Sequence, residues 1–514
     1  MKRYFLGIDI GTFESRGILI DESFRVAADA SVPHGMNNPQ PGWFEQEAET
    51  VWWGDLCKLC QTLIKQSGIR PEQIACVGTS ALGTDCLPVD EQCRPLRPAI
   101  LYGIDARASE EAAWLTEYYG QARVQELFGH PICSGDTATK ILWLRRHEPE
   151  IYAKTAYFLT GSSFLTARLT GKYVIDQSLA KGSFRPLYQA DGSVNEAECG
   201  LYCRPDQIAA CAWSTDIVGT VTPEAAAQTG LAAGTPVITG TGDSTAEAIS
   251  VGLVEPGTAF FQYGSSMFYY YCTDHFVGSY VSPQGNGALK GGKAFTVPGT
   301  YCLGDGTNAA GTLTRWVRDL LYSKELDAEK QGGENAYAVM AREAAAVPPG
   351  SDGLIMLPYI YGERSPLQDA EATGMLFGLK GTHGRAQINR AALEAVGYST
   401  YQHLLLFEEL GVPPRRIITA GGGTKNAAWM QIICDMAGMP LTIPEPFQCS
   451  SYGDAMLAAL GVGALESFAA LRAALPQGRI LQPDRKNHEF YQEHYPIFRD
   501  LYLENRDRMH RMQK

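Results

Sequence analysis

The chain has 514 residues, 45% hydrophobic and 19% charged, a balance that suits a globular protein with two or three cores. Lys and Arg number 43 against 56 Asp and Glu, and the net charge of −13 argues against nucleic acid or an anionic membrane as partner. No apolar run reaches the roughly 18 residues a membrane-spanning helix needs.

The opening "MKRYFLGIDIGT" has two basic residues, but Asp9 interrupts its apolar run too early for a signal peptide, and a cytoplasmic location is expected. "YFLGIDIG" reads as a strand that runs into an acid and a glycine, and "GILID" resumes as a second strand. A hairpin of this kind suits phosphate binding. Asp9 is a strand-end acid, Gly11 a hinge whose backbone can approach oxygens closely, Thr12 a hydroxyl, and Arg16 a positive charge within reach. A plain turn is the competing reading.

"AETVWWGDLCKLCQTLIKQ" then reads as an amphipathic helix and "QIACVGTSA" as a strand. The thirteen cysteines carry no metal pattern. Cys57 and Cys60 form an isolated pair inside that helix, and Cys199, Cys203 and Cys211 lack the doubled spacing of a zinc site, so reduced structural thiols are expected.

Helical patterns such as "TATKILWLRRHEPEIYAKT" dominate after residue 130. A second strand-rich start, "TPVITGTGDSTAEAISVGL", brings two glycines before Asp243 and a helix after it. Asp243 is either a cap on that helix or a general base held by a rigid turn. "QYGSS" adds a small-residue turn with Gly264 and Ser265. A third start, "RIITAGGGTKN", places three glycines from Gly421 after an apolar run, so that a flat group could lie against the backbone. Three strand-to-glycine junctions without a short repeat predict an α/β protein of two lobes, residues 1–247 and 248–514. The tail "NHEFYQEHYPIFRDLYLENRDRMHRMQK" predicts a charged amphipathic helix packed on the second lobe.

Two longer stretches make the chain resemble the FGGY carbohydrate kinases. "GDTATKILWLRRH" fits one signature of that family through Gly135, Thr137, Lys140, Ile141, Trp143 and Leu144. "GMLFGLKGTHGRAQINRAALE" fits a second through Gly374, Gly378, Leu379, Gln387, Ala391 and Glu394, and "YGERSP" before it is also similar. The resemblance implies two actin-like (ribonuclease-H-like) ATPase lobes closing a cleft on sugar and ATP. It implies Asp243 as catalytic base, and Asp9 with Asp243 as the carboxylates of a magnesium ion. Gly11, Thr12, Arg16, Gly264 and Ser265 would face the phosphates, and Gly311, Gly422 and Asn426 would border the adenosine. Trp143, Trp316 and the helix around Ala391–Glu394 are expected to pack.

The chain departs from the family in two places. Phe13-Glu14 stands where relatives carry small hydroxyl residues, and Glu14 is expected to face solvent, away from phosphate. Gly83-Thr84 stands near the Met-His pair of xylulose kinases, and Gly103 replaces a Trp before Asp105 and Arg107. Thr84, Asp85, Asp105 and Arg107 are the candidate sugar contacts, with an Asp–Arg pair pinning a loop as the alternative for the last two. The resemblance implies a ketopentose such as xylulose as the substrate, with other ketoses, sugar acids and polyols open. A homodimer is possible. An actin- or chaperone-like ATPase acting on protein is the reading of a different class.

Overall fold

The computed structural model describes residues 2–445 and 449–513. The chain forms two compact units: Met1–Val254 with Lys293–Tyr301 and Gln448–Leu475, and Glu255–Gly292 with Cys302–Phe447 and Pro476–Lys514.

The first unit opens with β1 (Tyr4–Ile10), β2 (Glu14–Asp21) and β3 (Val26–Pro33), an antiparallel meander. Helix α1 (Gly54–Ser67) leads to β4 (Ile74–Ala81), which joins β1 in parallel. Helix α2 (Thr137–His147) follows, then β5 (Ile217–Thr220), β6 (Pro236–Ile238), the short β7 (Thr241–Gly242) and α3 (Asp243–Ser250). The sheet order is β5-β6-β4-β1-β2-β3, with β7 beside β4. Helix-covered central strands have no wet face. This is why β1 is buried from Phe5 through Ile10 and reads as a continuous apolar run broken only by Gly7 and Asp9. Trp52, Leu56, Leu59 and Leu63 share that core.

The second unit repeats the plan. Strands β8 (Thr258–Tyr263), β9 (Met267–Thr273) and β10 (Tyr301–Gly306) are followed by α4 (Gly311–Leu321), α5 (Ala336–Ala345) and the long α6 (Arg385–Glu409). Next come β11 (Arg416–Ala420), α7 (Ala427–Ala437) and β12 (Leu441–Ile443). Helix α8 (Ser450–Gly461) returns to the first unit, and β13 (Arg479–Leu481) and α9 (Arg485–Met512) complete the second. The path is β10-β9-β8-β11-β12-β13. In both units a first strand pairs antiparallel with its successor and parallel with a strand reached after a helix. The tail helix α9 buries Tyr491, Tyr495, Phe498 and Tyr502 in the second unit's core.

The lobes expected at 1–247 and 248–514 compare with a first crossing after Val254 and two later returns. The return of α8 is a matter of close packing. A side chain at Gly7 would collide with the Ser451 carbonyl, and one at Gly453 with that of Ala246 on α3. Tyr269, Tyr270 and Tyr271 lie buried in β9. Trp143 is buried against Trp43 and Arg107, and Glu394 accepts hydrogen bonds from Arg390, Ser351 and Tyr491, all as packing groups do.

Candidate active site

In the first unit the strand register builds an acidic centre. Asp9 lies opposite Arg16 on β2 and beside Ser80 on β4. Ser80 Oγ is 2.8 Å from Asp9 Oδ1 and 2.7 Å from Oδ2 of Asp454, a buried acid on α8. Asp243 opens α3, partly exposed, and its Oδ1 accepts the Ser244 N–H at 2.6 Å. Burial and then the charge of Asp243 push the Asp9 carboxyl up to about 8. Burial also lifts Asp243 to about 6, against the pull of the Ser244 N–H and of Lys293. Two acids at a strand end and a helix start, each raised by burial, mark a candidate functional site.

The hairpin loop is held from outside itself. Thr12 Oγ1 lies 3.2 Å from the Tyr102 hydroxyl, and the Thr12 carbonyl accepts the Gln46 side-chain amide at 2.9 Å. The Gly11 N–H donates to the Glu14 carbonyl at 3.1 Å, closing the turn. Arg16 Nε donates to Glu14 Oε2 at 2.6 Å, so the positive charge of the hairpin is paired with an acid two positions away. Glu14 is partly exposed and takes Arg16 as its partner.

The loop of Gly83, Thr84 and Asp85 lies against the turn that carries Asp243. A Cβ on Gly242 would sit 3.6 Å from the Gly83 Cα. Lys140 of α2 reaches this loop and donates to the carbonyls of Thr84 at 2.6 Å and Gly135 at 3.0 Å. Asp85 is buried, with the Tyr102 N–H as its one weak hydrogen-bond donor and no side-chain partner among the described residues. Burial raises its carboxyl while the Lys140 ammonium pulls it down. A buried carboxylate so sparsely bonded beside a buried ammonium is costly, which suits a group kept for a ligand or for bridging water.

Asp105 and Arg107 are committed to one another. Asp105 accepts the backbone N–H groups of Phe44 and Arg107 and the guanidinium of Arg107, whose Nη1 bonds Glu45 at 2.7 Å. The guanidinium lies 4.3 Å from the Trp43 ring and 5.2 Å from Trp143. The geometry is that of a pair pinning a loop, with Arg107 Nε, Nη1 and Nη2 each already donating to a buried carboxylate.

The second unit holds a cavity of about 460 Å³ where three glycine-bearing turns meet. Its lining includes Gly264, Ser265, Gly311, Gly422 and Asn426, the residues expected at phosphates and adenosine from three separate stretches of sequence. The β8–β9 turn packs against the start of α4, with Gly311 N–H donating to the Gly264 carbonyl at 2.9 Å and Thr312 N–H to that of Ser265. A Cβ at Gly311 would press on the Gly264 carbonyl oxygen at 2.5 Å, so only glycine allows this approach. Asn426 caps α7 by accepting the Trp429 N–H at 3.0 Å. The buried indole N–H of Trp429 has no acceptor and lines the same cavity. Tyr337, Ala338, Asn389 and Leu393 close the far wall, a mixed lining with the volume of a nucleoside site.

Sequence reading missed Ser80, Asp454, Tyr102 and Trp429. A lone acid in the small-residue helix "SSYGDAMLAAL" was a signal for Asp454. Among the described residues no helix is long and apolar enough to cross a membrane, and no group of three or more His, Cys, Asp or Glu is arranged around a metal. Two carboxylates suffice for an ion that arrives with nucleotide phosphates and keeps most of its water.

The chain matches the model of the FGGY family of carbohydrate kinases, N-terminal domain, over residues 4–250 and that of the C-terminal domain over residues 263–462. It is 30% identical to a xylulose kinase of Escherichia coli over 97% of this chain and 98% of that one. It is 28% identical to a gluconokinase of Bacillus subtilis over 98% of this chain and 96% of that one. Among solved structures, xylulose kinase from Rhodospirillum rubrum superposes with a TM-score of 0.88 at 28% identity, covering 99% of this chain and all of that one.

Proposed function

The chain belongs to the FGGY family of carbohydrate kinases and is an ATP-dependent sugar kinase; from that premise we propose that its acceptor is a ketopentose such as xylulose. The observation that carries the reading is the gathering of Gly264, Ser265, Gly311, Gly422 and Asn426 around one nucleoside-sized cavity. The acceptor is favoured because relatives named xylulose kinase match over nearly the whole chain. A sugar acid is the second reading, favoured by the gluconokinase relatives and by Gly83-Thr84 near the position of the Met-His pair.

In this reading Asp243 accepts the proton of the attacking hydroxyl as its bond to phosphorus forms, a role its raised carboxyl suits near neutral pH. Thr84 and Asp85 present acceptors to the sugar, and the Asp85 carboxylate, with no side-chain hydrogen bond of its own, has capacity to spare. Gly11, Thr12 and Arg16 meet phosphate oxygens, as do Gly264 and Ser265. Mg2+ fits the donor set: hard carboxylate oxygens of Asp9 and Asp243, which repel one another and leave both groups easy to neutralise. When bound, the ion offsets charge on the phosphates. The same proposal includes a cytoplasmic location and a homodimer, which light scattering would test by mass.

Coupled ADP release over D- and L-xylulose, ribulose, gluconate and glycerol tests the acceptor. The highest kcat/KM is expected for a ketopentose, and a clear preference for gluconate or glycerol would replace that reading.

A further inference from the structure

Helix α8 has the composition of an apolar packing helix, yet it buries Asp454 completely. Its backbone lies so close to the sheet that a side chain at Gly78 of β4 would collide with the Asp454 carbonyl, just as one at Gly7 of β1 would meet that of Ser451. The acid is thus placed by backbone contact, with little freedom to turn away. Its Oδ2 is 2.7 Å from Ser80 Oγ, whose other neighbour is Asp9 Oδ1 at 2.8 Å.

A serine hydroxyl carries one hydrogen and cannot donate to two carboxylates. One of the acids must therefore supply a second hydrogen. Asp454 is 0% exposed against 9% for Asp9, and its Oδ1 has no partner. Asp454 is the more deeply buried of the two, so when Asp9 is ionised Asp454 is the donor and the bonds run from Asp454 to Ser80 to Asp9. The direction of burial agrees, since it raises the Asp454 carboxyl well above the ordinary range. Asp9 then keeps Oδ2 for solvent or a cation.

We propose that Asp454 is a positioning residue for phosphoryl transfer, acting through Ser80 to fix the orientation of the Asp9 carboxylate. The proposal rests on the reading of Asp9 as the cation-associated acid. Without the relay Asp9 could rotate, and the geometric demands of a small divalent ion would be met less often.

The test compares Ser80→Ala, Asp454→Ala, the double variant and Asp454→Asn. It measures kcat, the KM values for ATP and sugar, and Mn2+ binding to the ADP-loaded protein by EPR. Ser80→Ala and Asp454→Ala are each expected to lower kcat by about 10- to 50-fold, with sugar KM changed less than about threefold and Mn2+ bound several-fold more weakly. The double variant should fall no further, because both changes cut one relay. Asp454→Asn keeps an N–H for Ser80 and should retain at least about a third of the kcat. Additive losses would overturn the proposal, as would an Asn variant as impaired as the Ala variant. If Asp454→Ala fails to fold, Ser80→Ala and Asp454→Asn decide alone: an impaired first with a near-normal second supports the relay, and any other pair of results overturns it. A failure of the reading of Asp9 looks different, because Asp9→Asn would then leave Mn2+ binding unchanged in an enzyme that still turns over.

Discussion

Asp105 and Arg107, two positions apart, form a fully buried ion pair in which Arg107 Nη2 lies 2.8 Å from Asp105 Oδ2. Both belong to a stretch resembling a family motif, and both looked like sugar contacts. Their hydrogen bonds instead run to Phe44, Glu45 and one another. Arg107→Ala is expected to destabilise the protein by about 3–5 kcal/mol, because it strands the buried Asp105 carboxylate and takes from Glu45 one of its two guanidinium partners, the other being Arg97. Thermal or urea unfolding would show this loss, while the KM for sugar in the remaining folded enzyme stays within about twofold. A large rise in KM without loss of stability would return the pair to the sugar.

Glu14 holds Arg16 through a 2.6 Å bond between partly exposed side chains. Such a pair is worth at most about 1 kcal/mol. Glu14→Gln frees the guanidinium and removes a negative charge from the phosphate hairpin. The KM for ATP should fall by about two- to fivefold at low ionic strength, with the gain fading in salt. A KM that rises would mean that Glu14 aims Arg16 and that the pair works as a unit.

Asp9 trades stability for charge. Its carboxyl is raised from 3.8 to about 8, so the folded state holds a proton that the unfolded chain gives up. The stability this contributes is complete below about pH 4 and is lost as pH rises through 8. Asp9→Asn keeps the neutral form at every pH. The variant should therefore melt higher than wild type in metal-free buffer, by a few degrees at pH 8 and by less at pH 5. Its sugar-dependent turnover should fall by at least about tenfold. An equal melting temperature at pH 8 would show that Asp9 is not the strained acid described here.

Asp243 must be ionised to accept a proton, and burial lifts its carboxyl to about 6. At saturating Mg2+, where the cation would hold Asp9 ionised, the kcat/KM for sugar should decline below about pH 6 with a slope of one and level off above it. A profile flat down to pH 4.5 would remove a carboxylate of that kind from the rate-determining step.

The hairpin around Asp9 was legible because an acid and a glycine inside an apolar strand are costly unless used. The three glycine turns that line the nucleoside-sized cavity were legible for the same reason. The relay to Asp454 was hidden, since its contact spans 374 positions and depends on backbone packing at Gly7, Gly78 and Gly453. Asp105 and Arg107 stayed open between sugar contact and loop-pinning pair, because their partners Trp43, Phe44, Glu45 and Trp143 lie elsewhere in the chain. The return of α8 to the first unit was equally invisible, because its sequence carries no mark of the neighbour it chooses.

The most direct measurement is turnover by Asp243→Asn, with nucleotide binding followed in parallel. The account predicts ADP affinity within about twofold of wild type and sugar-dependent ADP release slower by at least about two orders of magnitude. Turnover close to wild type in a folded, nucleotide-binding variant would contradict it.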